Sequence, residues 1–264
     1  MKENISSLSN KKIKSLIRLR KSSERKKLGL SIVDGLREVS LALEGGVEVL
    51  ELFYCPSLAK DKKLTKEWLS KLKITAVSES IFKEICYKSK PDGYLAIIKV
   101  KNPQLKELSI KAEPLIVILD RVEKPGNIGA VIRTAFAAGV DLIIITNNQT
   151  DLYHPNSIRA SEGLIFKQAI LEAPLLTTIT WLRERKIKTY AAVTNSQTDY
   201  TKKDYQGPLA LVFGSEAKGL GDDWLKETKE TVRIPMQAEV DSLNISASVA
   251  ILIYEARRQR GLTV

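Results

Sequence analysis

The strongest constraint on this chain is a regular alternation that begins near residue 114. A β-branched apolar run at 114–120 is followed by a helical pattern at 128–138, where Ile128, Val131, Ile132, Ala135 and Phe136 fall on one face. Gly139 ends that helix, and 141–146 is a second run of buried-strand type. The pattern predicts further strands at 189–194, 209–214 and 231–235. It predicts helices at 155–163, 175–186 and 242–260. Apolar strands alternating with helices build a parallel α/β sheet.

Residues 31–100 read as a smaller α/β unit. Helices are expected at 36–43, 67–72 and 80–87, and strands at 47–54, 74–77 and 94–100; Gly45-Gly46 stops the first helix. Residues 99–111 are polar, contain Pro103 and suit a linker. The division is therefore a first domain at 1–104 and a second at 112–264. Ahead of the small unit, residues 10–28 have the pattern of one amphipathic helix. Ile13, Leu16 and Ile17 would dock it, leaving a basic face of Lys11, Lys12, Lys14, Arg18, Arg20, Lys21, Arg25, Lys26 and Lys27.

A formal net charge of +11 favours a polyanionic partner, either nucleic acid or an anionic membrane surface. No apolar run reaches the roughly 18–20 residues of a membrane helix, and the basic N-terminal stretch has no signal-peptide character. A cytoplasmic protein without a membrane role is expected. The two cysteines, Cys55 and Cys86, lack CxxC spacing, and His154 is the single histidine. No metal site is therefore expected. His154 precedes Pro155 and suits a loop better than a catalytic base.

In an open parallel sheet, ligands bind beyond the carboxyl ends of the strands. Three polar loops lie there. The first runs from Arg121 to Gly129, with Asn127 as the expected N-cap and Arg133 in the helix beyond. The second, after the strand at 209–214, carries Gly214, Glu216, Gly219 and Gly221. The third, 236–241, leads into Ser242, Leu243 and Asn244 at the expected helix start. Neither a Walker phosphate loop nor a GxGxxG dinucleotide fingerprint is present.

The segments Pro125-Gly-Asn-Ile-Gly-Ala-Val-Ile-Arg133-Thr-Ala135, Val212-Phe-Gly-Ser-Glu-Ala-Lys-Gly-Leu220 and Ile234-Pro-Met…Asp241-Ser-Leu-Asn-Ile-Ser246 resemble, in order, the three motifs of the SpoU (TrmH-type) family of RNA 2′-O-ribose methyltransferases. The N-terminal part is similar to that family's substrate-binding extension through Ile32-Val-Asp-Gly35 and Pro91-Asp-Gly93-Tyr-Leu-Ala-Ile97. Asp34 stands where the family usually has Glu, and Ala238 where many members have Gly.

The resemblance implies a deep trefoil knot at the carboxyl end of the sheet, S-adenosylmethionine as cofactor and a homodimer. It places backbone contacts to the cofactor at Gly214, Ile234 and Leu243, and an adenine wall at Leu220 and Met236. Thr194, Glu216, Ser242 and Asn244 complete the cofactor set. Asn127, Arg133, Glu216, Ser242 and Asn244 would be the catalytic set. Arg133 holds the position of the family's catalytic arginine. A guanidinium essentially never deprotonates in proteins, so a clamp on phosphate and on the developing alkoxide suits it better than general base. The N-terminal extension favours large-subunit ribosomal RNA as substrate, with transfer RNA as the alternative. A catalytically silent RNA-binding protein of the same fold, a base methyltransferase and a dehydrogenase are the rival readings. Intact Asn127, Arg133, Glu216 and Asn244 weigh against the first, the Asn-x-Gly-x-x-x-Arg pattern against the second, and the missing glycine fingerprint against the third.

Overall fold

The structure, a computed structural model, describes residues 2–59 and 66–261. In chain order the elements are β1 (Lys2–Ile5), α1 (Lys11–Arg18), α2 (Ser22–Leu28), β2 (Leu30–Asp34), α3 (Leu36–Glu44), β3 (Val49–Tyr54), α4 (Lys66–Lys71), β4 (Ile74–Val77), α5 (Glu79–Ile85) and β5 (Tyr94–Lys99). They continue with β6 (Leu115–Asp120), α6 (Pro125–Ala137), β7 (Leu142–Thr146), α7 (Pro155–Ala160), β8 (Ile170–Glu172), α8 (Leu175–Glu184), β9 (Lys188–Ala192), β10 (Leu209–Phe213), α9 (Asp222–Glu227), β11 (Glu230–Val232) and α10 (Ile245–Gln259).

The chain forms two compact units, one of Met1–Lys101 with Tyr153–Lys167, the other of Asn102–Leu152 with Gln168–Val264. This departs from the expected split in two places. Residues 102–111 are not a free linker: Leu105 is buried in the second unit's core, in a short 3-10 turn closed by reciprocal bonds between Gln104 and Glu107. Residues 153–167 leave the second unit to pack in the first. There Ser31 Oγ donates to the Tyr153 carbonyl, and the Tyr153 and Phe166 rings stack. The helix expected at 155–163 stops at Ala160, because Glu162 (φ 52°) and Gly163 (φ 81°) turn left-handed.

The first unit has a mixed five-stranded sheet in the order β1-β4-β3-β5-β2, parallel among β1, β4 and β3 and antiparallel at β5. Strands β1 and β2 had no counterpart in the periodicity. The two motif segments of this unit meet beside Gly35. Asp34 accepts the Tyr87 and Lys88 N–H groups at 2.6 and 2.8 Å, and Asp92 accepts the Leu36 N–H at 3.0 Å. Burial pushes the Asp34 carboxyl up despite those bonds. Gly35 has a φ of 121°, a backbone conformation that L side chains rarely adopt.

The basic segment 10–28 is two helices rather than one, broken at Leu19–Lys21. Ile13, Leu16 and Leu19 are buried in the core of the small unit. The break is held by Arg25, only 2% exposed, which donates to the carbonyls of Leu19 (2.8 Å) and Arg20 (2.9 Å) at the end of α1. Arg25 is therefore structural. Lys12 pairs with Glu51 and Arg18 with Glu24, and Arg20 donates to the Glu84 carbonyl. Lys11, Lys14, Lys21, Lys26 and Lys27 form the exposed remainder of the basic set.

The second unit has a wholly parallel six-stranded sheet in the order β11-β9-β10-β6-β7-β8. Its inner strands are buried on both faces, as their uninterrupted apolar runs require. Strand β8 and helix α9 went unforeseen. At the carboxyl edge, fully buried Asp120 accepts from Thr146 Oγ1 (2.9 Å), Asn147 Nδ2 (2.9 Å) and Arg121 Nε (3.0 Å). Arg121, at φ 56°, reaches on to the Gly219 carbonyl at 3.2 Å. No described helix is long and apolar enough to cross a membrane.

Replacing Arg25 with Ala should lower the stability of the first unit by about 2–4 kcal/mol, because two charge-assisted bonds to α1 carbonyls vanish. Urea unfolding followed by circular dichroism measures it; a change below about 0.5 kcal/mol, the scale of an ordinary surface substitution, would mean that Arg25 does not hold the break.

Candidate active site

Three segments converge at the carboxyl edge of the parallel sheet, and Glu216 joins them. Its Oε1 accepts from Asn127 Nδ2 (3.0 Å), Asn244 Nδ2 (2.6 Å) and the Ile245 N–H (3.4 Å). Its Oε2 accepts from Lys124 Nζ at 3.1 Å. Asn244 Nδ2 also lies 3.2 Å from Asn127 Oδ1. Burial pushes the Glu216 carboxyl up. The Lys124 and Ile245 bonds, the Lys124 charge and the Asn127 bond outweigh it, and hold the group below the usual glutamate value. It is therefore an ionised acceptor at neutral pH.

Each segment is shaped locally for this meeting. Pro125 occupies the first turn of α6, where its missing N–H costs nothing, and Lys124 is the N-cap. Asn127 thus sits inside the first turn and is not the expected cap; its side chain is free of the helix end and turns to Glu216. The loop after β10 closes on itself, with Ser215 and Gly219 exchanging backbone bonds of 3.1 and 2.9 Å. Gly214 must be glycine, since a Cβ there would lie 2.1 Å from the Gly219 backbone. Helix α10 begins at Ile245, later than expected. Asn244 is its N-cap, with Oδ1 accepting from Ser246 N–H at 2.9 Å. Ser242 consequently lies in the loop before the helix.

A cavity of about 470 Å³ opens beside Glu216. Thr194, Gly214, Glu216, Leu220, Ile234, Met236, Ser242 and Leu243, all marked from sequence as cofactor residues, line it. Asn244 does not, and acts through Glu216. A second recess of about 220 Å³ shares Ser215, Glu216 and Ile245 with the first, and adds Lys124 and Asn127. Arg133 lines neither space; it is exposed on α6, two turns beyond Asn127. His154 caps α7 in the other unit, accepting the Asn156 N–H at Nδ1.

Residues missed in the sequence include Asn195, Asp241 and Ser248 on the cavity wall, Lys124, and the Asp120–Arg121 pair behind the loops. Asp120 and Lys124 stood inside segments already marked. A buried carboxylate at a strand end and a lysine before a helix-starting proline were the signals.

Residues 114–254 match the model of the SpoU rRNA Methylase family, and residues 10–96 match an MRM3-like substrate binding domain. The chain belongs to the SpoU rRNA methylase family. Among curated relatives, a 23S rRNA (uridine(2479)-2′-O)-methyltransferase of Streptomyces viridochromogenes is 30% identical, over 90% of this chain and 86% of that one. The 23S rRNA (guanosine(2553)-2′-O)-methyltransferase RlmP of Bacillus subtilis is 25% identical, over 96% and 98%. The AdoMet-bound rRNA methyltransferase of Sinorhizobium meliloti superposes with a TM-score of 0.90 at 28% identity, covering 99% of both chains. The α/β fold with its parallel sheet is thus the SpoU methylase fold.

In this SpoU methylase, Gly214→Ala should cost about 1–3 kcal/mol, because the added methyl collides with fixed backbone. Gly219→Ala meets nothing within 4 Å and carries only the penalty of its φ of 61°, about 1 kcal/mol. Parallel denaturant titrations rank the two; equal stability would mean that loop closure does not depend on the missing Cβ.

Proposed function

We propose that this protein transfers a methyl group from S-adenosylmethionine to a ribose 2′-hydroxyl of 23S ribosomal RNA. The observation that carries the reading is the Glu216 junction, which draws Asn127 and Asn244 from separate segments to a residue that lines the 470 Å³ cavity. The curated relatives named above act on 23S rRNA, one at a uridine and one at a guanosine, so the chemistry they share is that of the ribose.

The cavity suits the cofactor. Leu220, Ile234, Met236 and Leu243 give it apolar walls, Thr194, Glu216 and Asp241 supply polar groups, and its volume is in the range of small-molecule sites. S-adenosylmethionine supplies an electrophilic methyl on a sulfonium. Gly214, Ile234 and Leu243 would hold it through their backbone, Leu220 and Met236 would wall its adenine, and Thr194 and Ser242 would meet its polar ends, with Asn244 acting through Glu216. Asn127 and Glu216 orient the ribose. The 2′-oxygen would bond to the methyl carbon as the carbon–sulfur bond breaks, its proton would pass to solvent water and S-adenosylhomocysteine would leave, with Arg133 assigned to the negative charge that develops on the oxygen.

The family resemblance implies that the chain is knotted at this edge. After β11 it returns to Glu216 before entering α10, beside the loop that closes on itself between Ser215 and Gly219. A homodimer suits the outer surface of the same unit. Helices α6 and α10 pack together, yet Phe136 is 42% and Tyr254 51% exposed. Arg133 and Phe136, three residues apart, share a face of α6. A second copy over that face would cover both aromatics and bring Arg133 to the boundary. The exposed lysines of α1 and α2 supply contacts to RNA phosphates. A cytoplasmic location accords with an rRNA substrate.

Methylation of 23S rRNA with labelled cofactor, followed by mapping of 2′-O-methyl positions, tests the function; no labelled ribose would overturn it. Arg133→Ala should reduce turnover by about 10²–10³, the cost of one transition-state charge stabiliser, and leave cofactor affinity nearly intact. Near-normal turnover would remove Arg133 from the mechanism. Sedimentation should give about twice the 29.4 kDa chain mass, and a monomer at micromolar concentration would count against the dimer.

A further inference from the structure

The 220 Å³ recess is a separate space on the Lys124 side of Glu216. It holds the volume of about seven liquid waters, room for a sugar ring but not for stacked bases. Its apolar wall is Val122, Ala217 and Ile245. Its charged groups are Glu123, Glu216 and Lys124, and Lys124 is the only cation among the described residues lining it. Two carboxylates at the rim would repel a phosphate that arrived unaided, so the lysine decides whether a nucleotide can enter.

The Glu216 carboxylate is used unequally. Three donors occupy Oε1, and all belong to groups fixed by α6 or by the start of α10. Oε2 has Lys124 Nζ at 3.1 Å, on a side chain that is 72% exposed. An exposed ion pair of this kind is worth at most about 1 kcal/mol, so the ammonium can leave at little cost. An RNA phosphate offers it a charge-assisted bond in return.

We infer that Lys124 is a positioning residue for the target nucleotide: its ammonium passes from Glu216 to an RNA phosphate, and the vacated Oε2 accepts the ribose hydroxyl. The inference rests on the proposed function and adds an element that the motif pattern does not contain. A properly placed phosphate then favours the state in which the acceptor is exposed. Glu216 then keeps its Oε1 bonds, so the junction of the three segments survives the exchange.

Three variants test it in the full-length protein: Lys124→Ala, Lys124→Gln and Lys124→Arg. Methylation kinetics and the binding of a 23S rRNA fragment at several salt concentrations are the readouts. Lys124→Ala and Lys124→Gln should raise KM for RNA by about 10-fold, the scale of one lost charged hydrogen bond, with a smaller effect on kcat. The log–log salt slope should fall in magnitude by about 0.7, one single-strand phosphate contact. Lys124→Arg should restore most of both, while cofactor affinity stays unchanged throughout. A merely structural lysine would not move the salt slope. If the unaltered protein methylates RNA and Lys124→Ala keeps its KM and slope, this inference fails alone. If the unaltered protein does not methylate RNA, the proposed function and this inference fall together.

Discussion

The carboxylate of Glu216 is the interaction on which the site depends. One oxygen accepts from a side chain on α6, from a side chain before α10 and from the first backbone N–H of α10. Those groups lie 89, 28 and 29 residues away in sequence. An ionised acceptor binds such donors about twice as strongly as a neutral one. Lys124 first, with the Ile245 and Asn127 bonds, holds it below the usual glutamate value against the effect of burial. The junction and the charge state therefore sustain each other. Both cavities take part of their lining from Glu216 and Ile245, so the wall they share is fixed by the junction.

Behind the junction, Asp120 does similar work for the sheet edge. Its carboxylate is fully buried, and three donors satisfy it. Removing such a group from water is costly unless its lone pairs are filled. Here the filling ties the end of β6 to the end of β7 and, through Arg121, to the Gly219 carbonyl. The loop that carries Glu216 is thereby fastened at its far end. Its near end is fastened by the absence of a Cβ at Gly214, where backbone passes too close for any side chain.

The smaller unit shows how a strongly basic segment divides between architecture and surface. Nine basic side chains in residues 10–28 look alike in sequence, but the tertiary structure sorts them. Arg25 is interior and holds the end of α1, and Lys12 and Arg18 are matched to glutamates. The exposed lysines are left as a flexible cationic surface suited to phosphate contact. The same unit also takes in residues 153–167, drawn from the interval between β7 and β8, so its core is not made from one continuous stretch.

The division between sequence and tertiary structure follows the range of the forces involved. The parallel α/β class was legible because burial on both faces demands uninterrupted apolar strands such as 115–120, 142–146 and 209–213. The lining of one cavity was legible through the motifs: Thr194, Gly214, Leu220, Ile234, Met236, Ser242 and Leu243 all reach it. The short elements β1, β8 and α9 were not read from the sequence. The break at Leu19–Lys21 was hidden because the arginine that holds it lies beyond it, in α2. Asn127 looked like a helix cap because capping is local, whereas its actual partner is 89 residues away. The sequence by itself determined which segments are apolar enough to form the sheet and which loops carry polar groups. Only the tertiary structure decided that Glu216 joins those loops, that Lys124 donates to its second oxygen and that Arg133 lies outside both cavities, because each depends on distances set by the packing of remote segments.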